Sequence, residues 1–279
     1  MSFDFLGYNL FDGNILRCVN EIVFLIKSKN HDCNVLACLN PHSVVKAKTD
    51  EDFQAALHSA KWLLPDGIGV VHAARRIGLP LKSRITGPDV FLASLDALNL
   101  CEAKIFFLGS SKETLVKIQE KIAINYPRIR VVGAYSPPFK VEFSKKDNAL
   151  MVSAVNRAQP DVLWVGMTAP KQEKWLYENR LDLQVAVAGA IGAAFDFYAG
   201  NVKRSPKFFR DHGLEWLPRL IRQPHHLWRR IFISVPLFFL EIYRFRLKEK
   251  LVRSYFYKHN KSYLAKRKFI SKTEINHDI

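Results

Sequence analysis

The chain has 279 residues, 42 Lys and Arg against 26 Asp and Glu, and a formal net charge of +16. A hydrophobic fraction of 48% with 24% charged residues excludes a disordered or collagen-like chain. The length suits one large domain, or a domain with an appendage. The charge is uneven: residues 1–200 carry a net of +3, whereas residues 201–279 carry 19 basic and six acidic side chains, a net of +13. We therefore expect a nearly neutral body over 1–200 and a basic appendage over 201–279. Such an appendage attracts polyanions of any kind: nucleic acid, anionic lipid or a phosphorylated ligand. The four cysteines (Cys18, Cys33, Cys38, Cys101) form no CxxC pair and have no His spacing suited to zinc, so they read as reduced thiols. The opening MSFDFLGYNLFDG lacks a secretory pattern, and no apolar run reaches the roughly 18–20 residues of a spanning helix. The expectation is a cytosolic protein, bound at most to a membrane surface.

In chain order, the pattern predicts a helix over Asn14–Ile26, a strand over Asn34–Leu39, and helices over Asp52–Ala60, Gly67–Ile77 and Pro88–Leu98. A strand over Lys104–Leu108, a helix over Lys112–Asn125 and a strand over Arg130–Gly133 follow. The helix Asn148–Arg157, strand Val162–Val165, helix Pro170–Asn179, strand Val185–Val187 and helix Ala190–Phe197 complete the body. Strands alternating with helices imply an α/β fold: a mostly parallel, Rossmann-like sheet with helices on both faces, whose ligands bind at the carboxyl ends of the strands. Beyond Gly200 the pattern becomes short helices (Ser205–His212, Leu214–Arg222) divided by Gly213, then an apolar and basic segment over Leu227–Lys250. Its middle, Ile231–Leu247, either packs on the body or lies in a membrane interface; its mixture of apolar and cationic residues favours the interface.

The turns after the strands hold the candidate chemistry. In LNPHS, Asn40 ends a strand because the residue before proline is held extended; it is either an ordinary turn residue or a donor to a sugar hydroxyl. In LLPDGIGVV, Asp66 is either a helix cap or a general base. The neighbouring Gly67 and Gly69 imitate a dinucleotide fingerprint, but His72 stands at its last glycine. RITGPDVF supplies Arg84, a cation suited to phosphate or carboxylate, and Asp89 at a helix start. Gly109 opens a helix in LGSS, and backbone N–H groups at such a turn suit an anion. VGMTAPKQEKW places Gly166 at a strand end and Lys171 and Gln172 in a first helical turn, where they could grip a nucleotide. AGAIGAAFDFYAGNVKRSP supplies Gly192, Asp196 and Arg204. No phosphate loop, HExxH, GxSxG or clustered metal ligands occur, so neither a cofactor nor a metal is expected. Asp50-Glu51-Asp52 matches a metal-binding DxD but reads better as a solvated helix start.

Together, LNPHS, LLPDGIGVV, RITGPDVF, FFLGSS, VGMTAPKQEKW, AGAIGAAFDFYAGNVKRSP and GLEWLPRLIRQP make the chain resemble the WecG/TagA/CpsF family of bacterial glycosyltransferases, over roughly Phe3 to Arg230. The resemblance implies metal-independent, inverting transfer of a sugar from a UDP-sugar to a polyprenyl-diphosphate-linked saccharide. The sugar would be of the N-acetylmannosamine, N-acetylmannosaminuronic acid or glucuronic acid type. The reaction would occur at the cytoplasmic face of the plasma membrane, in cell-surface polysaccharide synthesis. By the same resemblance Asp66 is the base, and Asn40 lies near the acceptor sugar. Arg84 and Gln172 lie near the donor, and Arg219, Arg222 and Arg229 hold the diphosphate. TAPKQE departs from the more usual GSPKQE, which bears on donor identity. An anionic membrane surface is the expected partner, nucleic acid is not, and homo-oligomerisation is left open. The rival readings are a nicotinamide oxidoreductase, a nucleic-acid-binding protein, and a non-catalytic scaffold of a polysaccharide assembly complex.

Overall fold

The protein is described here from a computed structural model that covers residues 2–29, 31–222, 224–248 and 250–251. Eight strands form one sheet: β1 (Ser2–Phe5), β2 (Tyr8–Phe11), β3 (Asp32–Leu39), β4 (Trp62–Pro65), β5 (Lys104–Leu108), β6 (Arg130–Tyr135), β7 (Val162–Val165) and β8 (Val185–Ala190). Their order is β1-β2-β4-β3-β8-β7-β5-β6. Only the β1–β2 hairpin is antiparallel.

The central strands are apolar on both sides, as a sheet covered on both faces requires. Leu36, Leu64, Phe107 and Trp164 face a core completed by α1 (Ile15–Lys27), α5 (Gly87–Leu100), α6 (Lys112–Asn125) and α9 (Ala194–Ala199). Ala37, Leu39 and Leu63 face the opposite way, toward α2 (Pro41–Ala47), α3 (Glu51–Ser59) and α4 (Ile68–Arg76). Farther along that second face, Phe106, Leu163 and Val165 pack on α7 (Lys145–Ala158) and α8 (Lys171–Asn179). The α/β class and the parallel sheet agree with expectation.

Three strands and one helix were not anticipated. The first two strands form an edge hairpin too short for its alternation to stand out. Strand β4 is buried along its whole length, so WLLP shows no period of two. Helix α2 is one short element set off by Asn40 and Pro41. A helix expected from Ala190 instead begins at Ala194, because β8 runs on through Ala190 and Gly192 turns the chain with a φ of +52°.

Beyond residue 200, α10 (Lys207–Asp211), α11 (Trp216–Arg222) and α12 (Pro224–Arg229) lead into a π-helical turn over Arg230–Ser234 and helical residues 235–248. The wide turn directly precedes Pro236, which has no N–H to continue the α pattern. Among the described residues this region has no separate core cluster. One stripe at four-residue spacing, Ser234, Phe238 and Ile242, is buried, and its two apolar members join the core against α2, α3 and α4. Phe238 lies 6.3 Å from Phe5, ring centre to ring centre. His42 Nδ1 and Ser234 Oγ are 2.8 Å apart, and Lys48 pairs with Glu241. The opposite stripe, with Phe232, Ile233, Leu237, Leu240 and Tyr243, is exposed. Ile231–Leu247 therefore packs on the body along one face and leaves a second apolar face open. No helix among the described residues is long and apolar enough to cross a membrane.

Truncating Phe238 to Ala should remove about 3–5 kcal/mol of packing. The loss should appear as faster limited proteolysis within residues 224–248, with the remaining body still resistant.

Candidate active site

The sheet reverses direction of growth at β3: the chain steps outward to β4, whereas β8 closes the other side. Such a switch point leaves a crevice at the strand carboxyl ends. Backbone hydrogen bonds extend the sheet's alignment into the turns. Asp66 N–H donates to the Leu39 carbonyl at 2.8 Å, and Ile85 N–H donates to the Pro65 carbonyl at 3.0 Å. Asn40, Asp66 and Arg84 are thereby set in three adjacent turns.

Gly67, with a φ of +98°, caps α4 and no side chain does so. Asp66 is therefore not the helix cap. Among the described residues its carboxylate makes no hydrogen bond or ion pair. Burial pushes its pKa up to about 6; Arg84 and Arg219 oppose that rise, and Glu215 and Asp89 reinforce it. Gly69 also has a local explanation, because a Cβ there would lie 2.9 Å from Pro41 Cγ. Asn40 caps α2, its side-chain oxygen accepting from Ser43 N–H at 2.9 Å. The amide nitrogen of Asn40 is left over for another partner.

Next to Asp66, four charges join the body to the C-terminal region. Arg84 Nη1 lies 2.8 Å from Glu215, and its Nη2 donates to the Arg210 carbonyl at 3.1 Å. Arg204 Nη2 lies 2.6 Å from Asp89, and its Nε lies 3.2 Å from the other oxygen of Glu215. Thr86 caps α5 and donates to Asp89 at 2.7 Å, while Ser205 Oγ holds the Glu215 carbonyl at 2.8 Å. Arg84 and Arg204 thus already have resident carboxylates. Two other arginines do not. The Arg219 Nε is buried without a partner, its guanidinium centre 5.4 Å from the Phe197 ring. Arg230 is half-buried, and burial together with Arg219 lowers its pKa.

Gln172 connects the two turns on the far side of the crevice. Its buried oxygen accepts from Met167 N–H at 3.2 Å and Gly192 N–H at 3.0 Å, and its nitrogen donates to Glu173 at 2.9 Å. That pattern makes Gln172 a staple between the ends of β7 and β8. The second oxygen of Glu173 is buried without a partner, and burial pushes this carboxyl up to about 7. Gly166 is required by packing, since a Cβ there would fall 2.1 Å from the Phe195 ring.

Several expected residues do not converge on Asp66. Lys171 turns away, its Nζ 3.9 Å from the Phe143 ring centre and against the Lys140 carbonyl. Gly109, with a φ of +101°, is packed against Gly166 and Met167. Asp196 is engaged with Asn201 at 3.4 Å. Arg229 is exposed beside Trp228, and the next residue, Arg230, points inward instead. The side chain of Arg222 lies outside the described residues. Asp50 caps α3 and, with Asp52, holds Lys174 at 3.1 and 3.4 Å, so the DxD lookalike is a helix start. Among the described residues no group of three or more His, Cys, Asp or Glu is arranged to hold a metal.

The model of the glycosyl transferase WecG/TagA/CpsF family matches residues 3–251. The chain belongs to that family. It is 35% identical over 223 residues to the N-acetylglucosaminyldiphosphoundecaprenol N-acetyl-beta-D-mannosaminyltransferase of Bacillus subtilis strain 168, covering 80% of this chain and 82% of the relative. The same-named enzyme of Bacillus spizizenii is 36% identical over 197 residues, covering 71% and 74% of the two chains. That of Staphylococcus aureus strain MW2 is 26% identical over 249 residues, covering 88% and 94%.

Two features of this WecG/TagA/CpsF chain escaped the sequence reading. Glu215 carried a signal, as one of only two acidic residues between positions 201 and 240. Glu173 carried none, since a first-turn Glu is ordinary on any solvated helix. Replacing Glu215 by Ala strands two guanidiniums whose side chains are only 17% and 13% exposed. The loss expected in denaturant unfolding is about 1–3 kcal/mol, with Glu215→Gln milder.

Proposed function

We propose that the protein transfers a sugar of the N-acetylmannosamine, N-acetylmannosaminuronic acid or glucuronic acid type from a UDP-sugar to a polyprenyl-diphosphate-linked saccharide. The names of the relatives favour the first sugar and an N-acetylglucosaminyl diphosphate lipid as acceptor. The single observation that carries the reading is the Asp66 carboxylate: half-buried, without a partner, and set at the strand ends within reach of the Arg84 and Arg219 charges as well as those of Glu215 and Asp89. A carboxylate so placed is suited to take a proton from an attacking hydroxyl.

Asp66 accepts the proton of the acceptor hydroxyl as its oxygen bonds to the anomeric carbon. The bond from that carbon to the UDP oxygen breaks on the opposite face, and UDP leaves with the electron pair. The configuration inverts. Charge growing on the diphosphate is met by protein cations in place of a metal, foremost Arg219, whose Nε has no other partner. Arg84 and Arg204, held by Glu215 and Asp89, add positive potential from fixed positions. Gln172 keeps the turns after β7 and β8 in place for the donor. The exposed apolar stripe beyond Arg230, followed by a basic segment, suits attachment to the cytoplasmic face of an anionic membrane, where a polyprenyl lipid resides.

Asp66→Asn should leave UDP affinity within about threefold and reduce turnover by about 10²–10⁴. In the wild type kcat/KM should rise as pH increases through about 6, where Asp66 loses its proton, and level off above. Near-normal turnover by the variant removes Asp66 from the base role. UDP binding by calorimetry and UDP release from a UDP-sugar panel measure the two effects.

A further inference from the structure

The first turn of α8 divides its side chains between solvent and interior. Lys171 leans on Phe143, and Lys174 reaches Asp50 and Asp52 at the start of α3. Gln172 and Glu173 turn inward instead, each only 4% exposed. A glutamate in a first helical turn favours the helix dipole while still solvated, so the helix itself does not require this one to be buried. Cys38 lies on β3, between β4 and β7 in the sheet, and its thiol is pushed up by burial and by the charges of both Asp66 and Glu173. The two acids therefore border the same interior.

Packing alone does not explain an acid here. Glu173 Oε2 is buried with no hydrogen-bond partner among the described residues, a penalty that an apolar side chain of similar size would avoid. The other oxygen accepts from Gln172 Nε2 at 2.9 Å. The oxygen of Gln172 is already shared by Met167 N–H and Gly192 N–H, at 3.2 and 3.0 Å. The amide therefore needs an acceptor on its nitrogen side, and Glu173 supplies it in either charge state. Burial pushes this carboxyl up to about 7 against the pull of Gln172 and Arg230, and the carbonyl oxygen of the neutral acid still accepts. The amide has little room to shift, since even a Cβ at Gly192 would lie 3.4 Å from Gln172 Nε2.

We infer that Glu173 is a positioning residue: it orients the Gln172 amide, which holds the turns after β7 and β8 at the spacing that the donor nucleotide requires. The donor half of this inference rests on the transferase reading; the staple itself does not. Glu173 acts through Gln172 and needs no contact with substrate. Small errors of placement in such turns are felt strongly at a bound ligand. The requirement is for an acceptor oxygen at one point, not for a charge. Glu173→Gln keeps that oxygen. Glu173→Asp keeps the carboxyl and the charge at the helix start but is one methylene short. Glu173→Leu keeps the bulk and removes the acceptor.

The test uses the full chain and these three variants, with UDP, a UDP-sugar and a short-chain lipid diphosphate saccharide. Calorimetry should show UDP binding about tenfold weaker in Glu173→Leu and Glu173→Asp, and within about threefold of wild type in Glu173→Gln. Donor KM should follow the same order, with acceptor KM and kcat at saturating donor unchanged. Unchanged UDP affinity and donor KM in Glu173→Leu overturn the proposal, even where the melting temperature falls, because the role is then structural only. Wild-type behaviour of Glu173→Asp also overturns it, since the helix-start charge would then suffice, as does loss of UDP binding in Glu173→Gln. If Glu173→Leu fails to fold, Glu173→Asp carries the same comparison. Amide exchange at Met167 and Gly192 reads the staple with no ligand present. Faster exchange in Glu173→Leu and Glu173→Asp than in wild type and Glu173→Gln supports it, and equal exchange in all four overturns it. A wild type that neither binds UDP nor transfers sugar overturns the donor half together with the transferase reading, whereas the exchange result still decides the staple.

Discussion

Glu215 is the contact through which the two parts of this molecule share a site. It stands in the C-terminal region, yet its two carboxylate oxygens divide between Arg84 of the body and Arg204. Arg204 in turn reaches Asp89 at the start of α5, after the turn that holds Arg84. Isolated surface pairs contribute little to stability, but a mutually bridged set of side chains less than a quarter exposed fixes geometry. The same set places Arg219 close enough to act on Asp66 through its charge. Without the C-terminal region, Asp66 would face solvent and lose the burial that raises its pKa.

The parallel sheet supplies the other half of the arrangement. Its strand ends are in register, with Leu39 opposite Pro65 and Leu108 opposite Val165. Every turn that follows therefore opens toward one side of the molecule. Small residues let those turns approach closely: Gly166 admits the Phe195 ring, and Gly87 brings α5 against Cys38 and Ile191. Gln172 then ties the turns after β7 and β8 together. A candidate site held by backbone and buried amide contacts needs no large loop movement to form.

Much of this was legible in the sequence. Alternating strands and helices gave the α/β class, and Asp66 stood out between Pro65 and Gly67 at the end of an apolar run. Arg84, Asp89 and Arg204 also stood out, but as ligand contacts, whereas the structure pairs them with protein groups. Those partners were hidden for a physical reason: a one-dimensional reading sees the charge of a side chain but not the carboxylate 131 residues away that pairs with it. Arg229 and Arg230 are adjacent in sequence and indistinguishable there; only the helix phase, which sets neighbours about 100° apart, sends Arg230 inward. Ile231–Leu247 looked apolar all round because it has two apolar faces with different neighbours. Phe238 and Ile242 meet the body, while Phe232 and Leu237 remain exposed.

The account rests on one carboxylate being partly withdrawn from water and left without a hydrogen-bond partner, between two arginines and two acidic groups. Titration of the Asp66 side-chain carbon by NMR in the full-length chain tests that directly. The midpoint should fall at about 6. A midpoint near 4, the ordinary range for an exposed aspartate, would show a solvated carboxyl and contradict the assembled site.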